Sequence, residues 1–135
     1  MNGYALDANI VSYVMQNRKI AVFRFYQAAK SNIRLVLPPL VYYEIRRGLL
    51  YDRATARDRA FAKLSAYVKV CATDESEWER AAHIYAHLRR IGRPTSDADI
   101  LIAAFCLVHD YVLVTNNVDH FDHVPGLKIE NWANE

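Results

Sequence analysis

The sequence predicts an α/β fold built on a short, mostly parallel sheet. Three observations predict it. Short apolar runs of strand character, Tyr4-Ala5-Leu6, Leu35-Val36-Leu37 and Tyr111-Val112-Leu113-Val114, are separated by longer stretches with helical spacing. Helix start and stop signals fall between them: Pro38-Pro39, Thr73-Asp74-Glu75, and Gly92 followed by Pro94. Strands that alternate with helices then favour parallel pairing, because each helix carries the chain back to the end of the sheet where the preceding strand began.

The elements follow in order. The first strand covers Gly3 to Leu6 and stops at Asp7. A short helix runs from Asn9 to Met15, and a second from about Ile20 to Lys30, with Val22, Phe23, Tyr26 and Ala29 near one face. Leu35 to Leu37 is the second strand. Proline suits a first helical turn, so Pro38-Pro39 opens a helix carrying Leu40, Val41, Glu44, Ile45, Gly48 and Leu49. A charged helix extends from Thr55 to about Tyr67, and Val68 to Ala72 makes a strand. Thr73-Asp74-Glu75 caps a long helix through Ala81, Ile84, Tyr85 and Leu88, which Gly92-Arg93-Pro94 ends. The next helix covers Asp97 to Val108. Tyr111 to Val114 is a strongly apolar strand, Asn116-Asn117 a turn, and Leu127 to Glu130 a last short strand.

Composition bounds the class. A chain of 135 residues, 53% hydrophobic and 24% charged, is one globular domain over residues 1–135 with room for a core. It has no internal repeat and no Gly/Ser/Pro-rich linker. No apolar run approaches the ~20 residues that span a bilayer. Met1-Asn2-Gly3-Tyr4 lacks the charged and then apolar pattern of a signal peptide. Cys71 and Cys106 lie in apolar segments without metal-like spacing and read as buried thiols in a reducing compartment, which predicts a cytoplasmic protein. A formal net charge of +2 does not by itself point to nucleic acid. The arginines say more by position. Arg46 and Arg47 follow Glu44, and Arg89, Arg90 and Arg93 precede Asp97 and Asp99. Basic groups beside acids suit a polyanionic substrate, although a solvated helix face explains any single one of them.

Three acids stand where apolar residues belong. Asp7 ends a buried strand, and Glu44 lies within the stripe Leu40, Val41, Ile45 and Gly48. Asp99 opens the run Ile100-Leu101-Ile102-Ala103-Ala104 and shares a helical face with Ile102, Ala103, Cys106 and Leu107. Each has an ordinary explanation. Asp7 suits the N-cap of the helix after it. Glu44 and Arg47, three apart, can pair. Ser96 and Asp99 fit a capping box, and Asp97 can cap in its place. The combination is harder to explain that way. Carboxylates brought together repel, and a hard divalent cation with oxygen ligands relieves the repulsion. Such an ion also lowers the pKa of a bound water and neutralises charge on a phosphodiester. In open α/β sheets ligands gather at the carboxyl ends of the strands, where Asp7 and Thr115 to Asp119 fall.

With these pieces in order, the chain resembles the PIN-domain ribonucleases, and within them the VapC-type toxins of toxin–antitoxin pairs. The matching stretches are Leu6-Asp7-Ala8-Asn9, Pro38-Pro39-Leu40-Val41-Tyr42-Tyr43-Glu44-Ile45 with Gly48, Gly92-Arg93-Pro94, and Asp99-Ile100-Leu101-Ile102-Ala103-Ala104. They continue through Val114-Thr115-Asn116-Asn117, His120-Phe121, Pro125-Gly126-Leu127 and Trp132. Each piece alone is weak; the ordered set spans nearly the whole chain. The resemblance implies a PIN-like three-layer α/β/α sandwich. It implies that Asp7, Glu44 and Asp99 are the catalytic acids that hold Mg²⁺, or Mn²⁺ as a substitute, with Thr115 the strand-end hydroxyl beside them. The family often carries a fourth acid two residues after that threonine, where this chain has Asn117. Asn117, Asp97 and Asp119 are the accessory candidates. The implied activity is endonucleolytic hydrolysis of RNA, tRNA first, leaving a 5′-phosphate and a 3′-hydroxyl. Arg46, Arg47, Arg89, Arg90 and Arg93 are candidates to hold the RNA backbone. The implied partners are a second copy of the chain and a VapB-type antitoxin that lays a peptide across the groove.

Other constellations are thinner. His83 and His87 have zinc-like spacing but no third ligand nearby and read as a helix face. In His120-Phe121-Asp122-His123, Phe121 buries and its neighbours face water. Tyr42 and Tyr43 suit either base stacking or packing. The serines Ser12, Ser65 and Ser76 lack a nucleophile-elbow context. Two rival functions stand beside the ribonuclease: a metal phosphoesterase acting on DNA or small phosphates, and a non-catalytic RNA- or protein-binding PIN module.

Overall fold

The computed structural model describes residues 1–133. Its strands are β1 (Gly3–Leu6), β2 (Leu35–Leu37), β3 (Lys69–Val70), β4 (Tyr111–Val114) and β5 (Ile129–Glu130). Its helices are α1 (Ala8–Met15), α2 (Lys19–Lys30), α3 (Pro39–Tyr51), α4 (Thr55–Ser65), α5 (Glu75–Arg90) and α6 (Asp97–His109). A 3₁₀ turn at Val118–His120 joins β4 to β5. The sheet order is β3-β2-β1-β4-β5, and every pairing is parallel. The expected "mostly parallel" sheet is therefore wholly parallel among the described residues. The central strands are buried except at the half-buried Tyr4, as a sheet covered on both faces requires.

Where strands fall short of expectation, the reason is the edge. β3 is two exposed residues, not Val68 to Ala72. It pairs only with β2, itself three residues long, through Val36 with Lys69 and Leu37 with Val70. Asp74 then turns away to cap α5. Its carboxylate accepts from the Glu77 amide, and the Glu77 carboxylate accepts from the Asp74 amide at 3.0 Å, a complete capping box. β5 is likewise only Ile129–Glu130, against the expected Leu127 to Glu130. α4 ends at Ser65, two residues before the expected Tyr67.

The hydrophobic core gathers the inner faces of the helices on the sheet. Phe25, Val36, Leu37, Val41, Ile102, Leu113, Phe121 and Trp132 are almost wholly enclosed. Cys106 is buried and Cys71 half-buried, both as free thiols. Among the described residues no helix is long and apolar enough to cross a membrane.

Topology places the site. The chain steps outward from β1 to β2 to β3, then returns past β1 to lay β4 on its other side. The switch point of the sheet therefore lies between β1 and β4, where open α/β folds form their crevice. Asp7 follows β1 directly, and Thr115 follows β4 directly. α6 ends just before β4 and runs opposite to it, so its first turn, with Asp99, returns to the carboxyl end of β4. α3 leaves the carboxyl end of β2, so Glu44 stands near the same end.

Candidate active site

Asp7 is both a cap and a buried acid. Its Oδ1 accepts the Ala8 amide at 2.8 Å and caps α1, as the local sequence suggests. Its Oδ2 accepts the Thr115 hydroxyl at 2.7 Å and the Asn9 side-chain amide at 3.4 Å. Thr115 is fully enclosed and Asp7 is 5% exposed. Burial holds the Asp7 carboxyl above its ordinary pKa, and the nearby Asp99 charge pushes the same way against those hydrogen bonds.

Asp99 lies in the first turn of α6. Ser96 is the N-cap, and its hydroxyl accepts the Asp99 amide at 3.2 Å. The predicted box is thus half made. Asp99 turns its carboxylate to other partners: Oδ2 lies 3.0 Å from His120 Nδ1 and 3.4 Å from the Thr95 hydroxyl. A carboxylate can only accept, so Nδ1 carries the proton in this contact. The helix N-termini at Asp7 and Asp99 each supply partial positive charge to these acids.

Glu44 is half-buried on α3. Its carboxyl is raised above the ordinary range, first by desolvation and then by the Asp7 charge; Arg47 opposes this and Asp99 adds to it. The predicted Glu44–Arg47 ion pair is not formed among the described residues. Arg47 instead lies 5.1 Å over the Tyr43 ring. Asp7, Glu44 and Asp99 thus share one electrostatic neighbourhood. Their oxygens do not all lie within 4.8 Å of one another, which among the described residues only Asp74, Glu77 and His109 achieve. That tighter cluster lies about 15 Å farther along α6 from Asp99. Its groups are spent on one another: His109 Nε2 is 2.9 Å from Glu77 Oε2, and Thr73 donates to Glu77 Oε1. It ties α5 to the end of α6.

The acids that face the crevice fit a hard divalent ion. They offer carboxylate oxygens only, two of them are raised by burial and by neighbouring carboxylates, and Mg²⁺ keeps most of its waters and needs few protein ligands. Asp7, Glu44 and Asp99 are the residues that would hold it.

Around the acids, Asn116 and Asn117 are used as turn chemistry. The Asn117 amide donates to Thr115 Oγ1 at 3.0 Å, and the Asn116 amide donates to Asn9 Oδ1 at 3.0 Å. The side chains of Asn117, Asp97 and Asp119 are exposed. The arginines separate. Arg46 is committed to Asp58 at 2.6 Å, whereas Arg47, Arg89, Arg90 and Arg93 are exposed. Thr95, Asn9 and His120 are the members that sequence reading misses. Asn9, two residues after Asp7, is readable as a turn partner. His120, expected to face water, is 54% exposed yet bonded to Asp99. Nothing local signals a contact across 21 residues.

The PIN domain family matches this chain over residues 4–127. A protein named Ribonuclease VapC2 from Haemophilus influenzae is 30% identical, the match covering 96% of this chain and 98% of that protein. One named tRNA(fMet)-specific endonuclease VapC, from Salmonella typhimurium, is 25% identical over the same shares. The crystal structure of DNA-bound VapBC from Salmonella typhimurium superimposes with a TM-score of 0.81 at 26% identity, covering 98% of this chain and 99% of that one. A parallel sheet with acids at its switch point, a family match over nearly the whole length and these relatives agree: the chain belongs to the PIN domain family, among the proteins named VapC.

Proposed function

We propose that this chain is a metal-dependent endoribonuclease, the toxin of a toxin–antitoxin pair, and that it hydrolyses phosphodiester bonds in RNA. The convergence of Asp7, Glu44 and Asp99 on the carboxyl ends of β1, β2 and β4, with two of these acids raised, is the observation that carries this reading. Mg²⁺, or Mn²⁺ in its place, is held by these acids. When bound, the ion supplies a Lewis acid that activates water and neutralises charge on the phosphate under attack.

The chain's own residues do the rest. Thr115 and the Ala8 amide orient the Asp7 carboxylate, leaving little freedom to a group whose position matters. His120 and Thr95 orient Asp99 in the same way. The exposed Arg47, Arg89 and Arg90 hold the RNA backbone and give affinity without sequence choice, whereas Arg93 shares a cavity with the carboxylates of Asp119 and Asp122 and leaves that set. Arg46 leaves the RNA-binding set, because Asp58 already neutralises it. Asn117 takes the place of the family's fourth acid as a turn residue; Asp97 and Asp119 add negative charge at the rim.

The relative named as a tRNA(fMet)-specific endonuclease makes tRNA the leading substrate. The similar VapBC structures make a VapB-type antitoxin the expected partner. Phe23 on α2, and Tyr43, Leu50 and Tyr51 on α3, are exposed apolar groups available to that partner or to a second copy in a homodimer. The free thiols fit a single domain working in the reducing cytoplasm.

The test is cleavage of total cellular RNA by the purified protein, freed of antitoxin, with Mg²⁺, with Mn²⁺ and with EDTA. Discrete fragments are expected with either metal. None are expected in EDTA or from Asp99→Asn. RNA binding without metal-dependent cutting would instead support the binding-module reading, and cutting of DNA alone the phosphoesterase one.

A further inference from the structure

A polar cavity of about 480 Å³ opens beside Asp99, between the link from α5 to α6 and the turn after β4. Its polar wall is formed by Arg93, Thr95, Asp119, His120, Asp122 and His123. Two of these, Thr95 and His120, are the groups that hold the Asp99 carboxylate, so the cavity begins where the acids end. Its volume falls within the roughly 300–1,000 Å³ of small-ligand sites.

The donor set decides what fits. Asp119 and Asp122 place two carboxylates beside the single guanidinium of Arg93, which makes a poor seat for phosphate. The same carboxylates are acceptors for a base edge rich in N–H groups. Arg93 supplies donors for ring nitrogen and carbonyl acceptors, and the imidazoles of His120 and His123 supply flat faces for stacking. Among the RNA bases, guanine alone carries two adjacent N–H donors on its Watson–Crick edge and two acceptors, O6 and N7, on its Hoogsteen edge. We propose that this cavity seats a guanine base of single-stranded RNA, immediately beside the phosphate held at the acids. The inference rests on the ribonuclease reading and adds to it a base preference at one position next to the cut. Asp122 and His123, 3.5 Å apart on the outer wall, are the specificity residues.

Two measurements test it. In EDTA, GMP, AMP, CMP and UMP are titrated into the ¹⁵N-labelled protein. GMP is expected to shift the amides of Gly92, Arg93 and Thr95 and of residues 119–123, and to bind at least about fivefold more tightly than the others, the low end of what one bidentate base contact discriminates. Asp122→Ala, at an exposed position, is expected to remove that preference with the spectrum otherwise native. Second, RNA of random sequence is cut and its ends are sequenced. Guanine is expected to be enriched at one position beside the cut for the natural chain. Asp122→Ala and His123→Ala are expected to lose the enrichment at that position. Equal binding of the four nucleotides, GMP shifts elsewhere on the surface, or an enrichment unchanged in both variants would overturn the proposal. The two readings fail separately. GMP seated in the cavity of a chain that cuts no RNA would refute the ribonuclease, whereas metal-dependent cutting with no GMP preference would refute the cavity assignment alone.

Discussion

A buried acid next to other acids is held against its own solvation, and the charge on Glu44 and Asp7 should cost the fold stability when no metal is present. Both carboxyls are raised in the folded chain. The folded state therefore binds these protons more tightly than the unfolded one. Their stabilising contribution is complete below the ordinary carboxylate pKa of about 4. It is lost as pH rises through the raised folded values. Asp74 works in the opposite sense, its carboxyl being lowered first by the hydrogen bond from Ser76. The difference between the natural chain and Glu44→Gln isolates the site. In EDTA at neutral pH, Glu44→Gln is expected to melt higher than the natural chain, and the gap is expected to close as pH falls below the carboxylate range. RNA cleavage by the same variant is expected to fall by about 10²-fold or more, as when a group that stabilises transferring phosphate is removed. Thermal melts across pH, with cleavage rates beside them, check both halves. A variant that melts lower at neutral pH would mean that Glu44 is a stabilising surface acid.

At the scale of elements, the close approach of β1 to its neighbour decides where Asp7 ends up. Gly3 begins β1 at φ +148°, and a Cβ there would lie 2.3 Å from the Arg34 carbonyl oxygen. Only glycine relieves both the strain and the clash. Gly3→Ala is expected to lower stability by about 1–3 kcal/mol or more, read from urea unfolding. It is also expected to weaken metal binding, because the strand that leads into Asp7 must shift. Much at this scale is legible in sequence. The strands β1, β2 and β4, the prolines that open α3, and Ser96 as the cap of α6 all follow from local chemistry. The edge strands are less legible. β3 and β5 are two residues each, and what sets their length is the neighbour they pair with, not their own apolar content.

For the molecule as a whole, anything that binds only the folded site raises apparent stability. A divalent ion that Asp7, Glu44 and Asp99 together would hold has no site in the unfolded chain. Mg²⁺ or Mn²⁺ at a hundred times its dissociation constant is expected to add ~2.7 kcal/mol to unfolding, seen as a higher melting temperature. Asp99→Asn is expected to lose most of that rise. Ca²⁺-free and EDTA controls define the baseline, and a melting point indifferent to Mg²⁺ and Mn²⁺ in the natural chain would count against the metal site.

The sequence by itself determined the kind of fold and set Asp7 and Thr115 at the carboxyl ends of their strands. Strand and helix periodicities, caps and turn residues act over a few residues, and they can be read from neighbours in the chain. Only the tertiary structure decided which groups meet. The bond from Thr115 to Asp7 joins residues 108 apart, and it exists because β4 lies against β1 and not beyond β3. The same order brings His120 to Asp99 and opens the polar cavity beside them. Arg46 and Arg47 are neighbours of one type, yet Asp58 on the next helix neutralises one and the other stays exposed. Charge and spacing name the residues able to do the chemistry. Strand order and packing assign their partners, because contact energies between distant segments leave no periodic trace along the chain.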